Sequence, residues 1–266
     1  MAHIAGLRVF PVKGLDGEAV ERAALRPGGT LADDRAFALV EGDGNPVNAK
    51  EFPALHEFRT DYDPDAGTLA VTGPDGDHRE FGLGTDSGRA AAGDWFADRL
   101  DAALSLVRAD EDAGFVDRPS MGPSVVSTAT LDTVASWFDS LGTEGVRRRL
   151  RANVEVGGVP AFWEDRFVGE DAPTFEAGGV RFAGVTPCNR CVVPSRDPDT
   201  GESVADFRQT FLRERERSFP EWADWDAFDH YYAVMILARA TGLDGDEVLA
   251  VGDDVTVHVE PPEGRE

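Results

Sequence analysis

The chain has 266 residues, a net charge of -24 and 41% hydrophobic residues, including 16 phenylalanines and 5 tryptophans. That is enough apolar material for one large core or two modest ones, and too much for a disordered polypeptide. A surface this acidic repels nucleic acid and anionic membrane, so neither is expected as a partner. No apolar run approaches the roughly 20 residues of a membrane span. The start, Met1-Ala2-His3-Ile4-Ala5-Gly6, lacks the pattern of a signal peptide, so a cytoplasmic location is expected.

The first ninety residues predict short strands. Residues 7–12 alternate and end at Lys13-Gly14, residues 35–40 run into Glu41-Gly42-Asp43-Gly44-Asn45, and residues 68–72 stop at Gly73-Pro74-Asp75-Gly76. Strands of this length between Gly, Asp and Pro predict a small barrel or sandwich. From 90 to 106, Trp95, Phe96, Leu100 and Leu104 fall at helical spacing. The polar stretch 108–124 reads as the boundary between two units, 1–107 and 108–266, or as a loop over a substrate site.

In the second unit, Ser127-Thr128-Ala129-Thr130 before Leu131, Val134, Trp137 and Phe138 predicts a capped helix. Residues 146–151 predict a basic helical turn, a solvated face of the Arg147-Arg148-Arg149 run being the alternative reading of Arg151, and 153–156 a strand. Strands are expected around 180–185 and 192–193, helices over 204–217 and 228–241, and a closing strand over 255–259. The fold class is therefore mixed and β-rich, α+β, with peripheral helices.

Only two lysines occur, Lys13 and Lys50, against many arginines, and the carboxylates are dispersed along the whole chain. This composition resembles that of proteins from halophilic archaea. Where lysine is nearly eliminated, a surviving lysine draws attention, Lys13 above all.

The only two cysteines sit together in Pro187-Cys188-Asn189-Arg190-Cys191. Two thiols exclude an all-cysteine zinc site or an iron–sulfur cluster built from this chain alone. The five histidines show no paired spacing, which disfavours a mixed zinc site. A thioredoxin-like dithiol would open a helix, whereas Val192-Val193-Pro194 follows here. A redox dithiol, two inert buried cysteines, or one thiolate holding the metal of a larger cofactor remain.

Cys188-Asn189-Arg190-Cys191 followed by Asp197-Pro198-Asp199-Thr200-Gly201 resembles the central motif of the MOSC domain. Pro11-Val12-Lys13-Gly14, Asp33-Asp34-Arg35 and Phe52-Pro53-Ala54-Leu55 resemble its N-terminal β-barrel domain. Leu150-Arg151-Ala152-Asn153 and Val251-Gly252-Asp253-Asp254-Val255 resemble two later family segments. The resemblance is to the amidoxime-reducing branch of the family. It implies two β-barrel domains and a molybdenum cofactor (Mo-molybdopterin), with Cys191 as the catalytic cysteine and protein ligand to the metal. It places Lys13, Arg35, Arg151 and Asn153 around the pterin and its phosphate, Cys188 and Arg190 in support, and hydroxyl contacts at Ser127 and Thr128, which helix capping explains equally well. It also carries a family-level association with pyridoxal phosphate. The implied activity is reduction of small N-hydroxylated or N-oxide compounds. Electrons would come from a separate donor such as a ferredoxin or flavoprotein, since no cysteines are spare for an iron–sulfur domain.

Two departures bear on substrate class: Ala152 stands where proline is usual, and Gly14 where a small polar residue would add a cofactor hydrogen bond. The alternatives are a sulfur carrier using the Cys188/Cys191 pair and a protein that holds the cofactor for delivery.

Overall fold

The computed structural model describes residues 1–110 and 114–259. The first half contributes eight strands: β1 (His3–Val9), β2 (Glu18–Val20), β3 (Arg22–Ala24), β4 (Phe37–Val40), β5 (Arg59–Asp63), β6 (Thr68–Thr72), β7 (His78–Gly82) and β8 (Ser105–Arg108). Helix α1 (Asp86–Leu100) lies between β7 and β8. The second half contributes β9 (Ser124–Ser127), α2 (Thr128–Ser136), α3 (Thr143–Leu150), β10 (Val154–Gly157), β11 (Thr174–Ala177), β12 (Val180–Asn189), α4 (Phe207–Arg217), β13 (Ala233–Thr241), β14 (Val248–Ala250) and β15 (Val255–His258).

The main sheet has eight strands in the order β15-β11-β12-β13-β9-β10-β1-β2. A seam brings the start of β1 to the residues that lead into β15, the strand at the far end of the order: Ile4 N–H donates to Asp253 O (2.8 Å), Gly252 N–H to Ile4 O (2.8 Å) and Val255 N–H to Ala2 O (3.0 Å). The architecture is the expected strand-rich α+β type. The sheets do not part at 107/108, however, because β1 and β2 belong to the main sheet. Of the expected boundary stretch, residues 111–113 lie outside the described residues.

Alternation along β9 shows how the sheet divides its cores. Val125 enters one cluster with Ile4, Leu7, Phe167, Phe175 and Ile236, while Val126 enters another with Leu131, Val134, Leu150, Phe207 and Phe211. Helices α2, α3 and α4 supply that second layer. A third cluster, Val12 to Leu106, holds the β4–β8 pair, the three-stranded β5-β6-β7 sheet and α1 together through Phe58, Trp95 and Phe96.

Several expectations need correction. The helix expected over 90–106 starts earlier, capped by Thr85, and ends at Leu100; Leu106 is in β8. The helix expected over 228–241 is the strand β13: it pairs with β12 and β9 along its edges, and its two faces are buried in the two clusters of the main sheet, so its apolar run has no alternation to distinguish strand from helix. Residues 192–193 are not a strand: Pro194 sits in a single 3-10 turn, Val193–Ser195. Among the described residues, no helix is long and apolar enough to cross a membrane.

Candidate functional site

A cavity of about 520 Å³ opens where the third cluster meets the main sheet, within the size range of small-molecule sites. Its wall comes from many segments. It includes Lys13, Thr30, Asp34, Arg35, Lys50, His56, Asp117, Arg118, Arg151, Asn153, Cys188, Arg190, Cys191 and Met235. Among the described residues, six lysines and arginines thus face it against two carboxylates, in a chain of net charge -24. Both lysines of the chain are among the six.

Short main-chain ladders set the cationic side. Arg35 N–H donates to Phe10 O (2.7 Å), Phe37 N–H to Pro11 O (2.9 Å) and Lys13 N–H to Phe37 O (2.8 Å), so Lys13 and Arg35 arrive on paired segments. Gly14 has φ 89°, in the region that favours glycine, which accounts for that departure from the family pattern. Asp34 is buried, accepts from Phe10 N–H at 2.9 Å and pairs with Arg35. Lys13 Nζ donates to Phe115 O (2.9 Å) and Asp117 Oδ1 (2.5 Å), which ties the described 114–118 segment across the rim.

Arg151 ends α3 in a left-handed conformation, φ 58°, its N–H capping Arg147 O at 3.0 Å. An arginine there costs on the order of 1 kcal/mol relative to glycine. Its guanidinium lies over Phe10, 4.1 Å from the ring centre, and Arg35 lies over the same ring at 5.0 Å. Burial and then the neighbouring Arg35 push its pKa down. Arginine keeps its proton in proteins, so the strain stands as an unmet demand for an anion.

Arg147, Arg148 and Arg149 form a set of anchors and not a solvated face. Arg147 pairs with Glu155 and Glu144, Arg148 with Asp199 (2.9 Å), and buried Arg149 with Asp197 (3.2 Å) and the Pro194 and Arg196 carbonyls. Asp197 also caps its own turn by accepting from Asp199 and Thr200 N–H. The Asp-Pro-Asp-Thr-Gly run therefore holds the loop after the cysteines in place and does not line the cavity.

The cysteines divide in character. β13 carries one residue more than β12 opposite Cys188, with Met235 at φ 62°, a bulge that bends the strand beside the cavity. Cys188 packs into the helical cluster, and burial raises its thiol to about 11. Cys191 is only half-buried and lines the cavity. Arg190 is fixed through its N–H to Tyr232 O (2.9 Å) and Nη2 to Leu150 O (3.0 Å).

Of the residues expected at the site, Lys13, Arg35, Arg151, Asn153, Cys188, Arg190 and Cys191 come together, and Ser127 and Thr128 do not. Ser127 is the buried cap of α2, its Oγ accepting from Thr130 N–H at 3.0 Å, so capping explains it. Asn153 mostly ties strands: its Oδ1 accepts from Ser124 N–H and Oγ, and its Nδ2 donates to Arg8 O, leaving one amide hydrogen to offer. Sequence reasoning missed Thr30, Phe10 and His56. The scarcity of lysine could also have flagged Lys50.

The wall fits a charged, polar cofactor. Thr30 Oγ1, His56 Nε2 and Arg190 Nε are buried without a partner among the described residues, which is costly unless a ligand meets them. Among the described residues, no group of three or more His, Cys, Asp or Glu side chains is placed to hold a metal ion. A metal bound at Cys191 would bring most of its ligands with it, as a pterin dithiolene does.

Among known proteins, the chain matches the MOSC N-terminal beta barrel domain over residues 1–142 and the MOSC domain over residues 122–256. It belongs to the MOSC family. It is 26% identical over 233 residues to mitochondrial amidoxime reducing component 2 of Bos taurus, covering 74% of this chain and 67% of that protein. For the Homo sapiens protein of the same name, identity is 29% over 250 residues, covering 77% and 69%. These mark a distant relationship. The YUAD protein from Bacillus subtilis superposes with a TM-score of 0.44 and 13% identity, over 98% of this chain and 97% of that one.

Proposed function

We propose that the cavity holds a molybdenum cofactor with Cys191 as the protein ligand to the metal, and that the protein reduces N-hydroxylated or N-oxide compounds with electrons from a separate donor protein. The observation that carries this reading is the difference between the cysteines: both border the cationic cavity, but Cys191 is only half-buried there while Cys188 is buried and packs into the helical layer. A soft thiolate suits a metal of this kind. The names of the distant relatives, amidoxime reducing components, point to the same reaction class.

When bound, the cofactor supplies the two-electron chemistry. The reduction takes up two electrons and two protons, breaks the N–O bond and releases water. The chain supplies placement. Arg151 and Arg35, stacked on Phe10, present guanidinium forks to the phosphate, and Lys13 adds a point charge. Asp34 fixes Arg35, and the anchored 194–199 loop fixes the segment that carries Cys191.

A sulfur carrier would hold its persulfide on Cys191 without a second thiolate beside it, since burial raises the Cys188 thiol to about 11, and it would give the cationic wall no ligand to hold. The test is turnover of cofactor-loaded protein with reduced methyl viologen as electron source and benzamidoxime as substrate. Benzamidine should form, and Cys191→Ser should form none. Fully loaded protein inert toward amidoximes, hydroxylamines and N-oxides would replace the reductase reading with a cofactor carrier.

A further inference from the structure

His56 sits near the end of a 3-10 turn, Pro53–Glu57, and Arg59 Nη1 holds its carbonyl at 2.8 Å. Its side chain lines the main cavity and also a small side cavity of about 20 Å³, and Arg151 borders both. The imidazole Nε2 is buried with no hydrogen-bond partner among the described residues. We propose that His56 is a binding residue for the anionic end of the cavity's ligand, its Nε2–H donating to a phosphate-type oxyanion held beside Arg151.

The charges around the ring support this. Arg149, Arg151 and Arg196 face it, with Asp197 as the opposing carboxylate; Arg148 and Asp16, paired with each other at 3.7 Å, also border the side cavity. Two of the three arginines are already engaged. Arg149 bonds the Pro194 and Arg196 carbonyls and Asp197, and Arg196 bonds the Ala49 and Lys50 carbonyls. Arg151 has only the Phe10 face, among the described residues. The unmet demand for negative charge therefore falls on Arg151 and His56 together.

Burial, then Arg151, Arg196 and Arg149, push the His56 pKa down to about 4, so the ring is neutral in the ligand-free cavity. A dianion placed beside Arg151 offsets those charges and raises the pKa toward its ordinary value. Binding thus takes up a proton at His56, and by linkage the anion binds more tightly as pH falls from 7 toward 5. The proposal rests on the cofactor reading only for the identity of the anion.

The probe is inorganic sulfate, a dianion that does not itself titrate in this range. The measurement is an imidazole NMR titration of the full chain, labelled with nitrogen-15, in chloride-poor buffer. One resonance of the five histidines should titrate near pH 4 and vanish in His56→Gln. Saturating sulfate should raise its midpoint by at least about one unit and leave the other four in place. His56→Gln should bind sulfate about tenfold more weakly at pH 5 and lose the pH dependence of affinity. Should that variant fail to fold, the wild-type titration still decides, since the low-titrating resonance identifies itself. A His56 midpoint unmoved by saturating sulfate overturns the proposal. Sulfate-linked protonation in a protein that never acquires molybdenum would uphold it and remove the cofactor reading; molybdenum-loaded protein with an unmoved His56 would do the reverse.

Discussion

The guanidinium of Arg151 lies 4.1 Å from the centre of the Phe10 ring. Stacking places the cation without using its N–H groups, and among the described residues none of them is bonded to a protein acceptor. Arg151→Ala should therefore leave the melting temperature little changed and weaken retention of a phosphate-bearing ligand at least about tenfold. Arg151→Lys should fail nearly as badly, since an ammonium cannot supply the planar fork. Ligand retention by the lysine variant within about twofold of wild type would show that charge alone suffices.

Asp117 competes for Lys13. Their ion pair is 2.5 Å long, but the Asp117 side chain is 78% exposed, so it is a weak rim contact. Asp117→Asn should release Lys13 toward the cavity and tighten anion binding by up to about fivefold, in line with the energy of an exposed pair. Calorimetric titration with sulfate checks it, and weaker binding would mean that Asp117 positions Lys13 productively.

Glu164 and Asp165 are both buried, and Arg215, itself fully buried, pairs with Asp165 at 2.5 Å. That leaves Glu164 to keep its proton: burial and the Asp165 charge raise its pKa well above the ordinary carboxylate range. A raised folded-state pKa gives stability that is fully present below the unfolded value of 4.5 and is lost as pH climbs through the folded value. Glu164→Gln should thus gain stability at pH 8 relative to wild type and flatten the profile above pH 4.5. Urea midpoints at several pH values test this. Arg215→Met should cost about 3–5 kcal/mol by stranding the Asp165 charge.

Much of the site was legible before any coordinates. Cys191 and Arg35 were recognisable from motif, and Lys13 from being one of two lysines in an acidic chain. What stayed hidden arrives through tertiary contact. His56 carries no spacing signal, since its neighbours Arg149, Arg151 and Arg196 come from another part of the sequence. The Arg147-Arg148-Arg149 run looked solvated because its carboxylate partners, Asp197 and Asp199 among them, lie up to about fifty residues away. β13 was misread because a fully buried strand and a buried helix share the same apolar run.

Cys188 should prove dispensable for the metal. Its side chain borders the cavity but is buried against the helical layer, so Cys188→Ala should retain the cofactor and lose only on the order of 1 kcal/mol of stability. Loss of metal with the fold intact would make Cys188 part of the site.

The central claim is most directly tested by the metal content of protein purified from a host that assembles the molybdenum cofactor, beside its Cys191→Ser variant. The account predicts near-stoichiometric molybdenum, or tungsten in its place, in the wild type, and little in the variant. Metal-free wild type from a host whose own molybdenum enzymes are loaded, or a serine variant that keeps its metal, would contradict it.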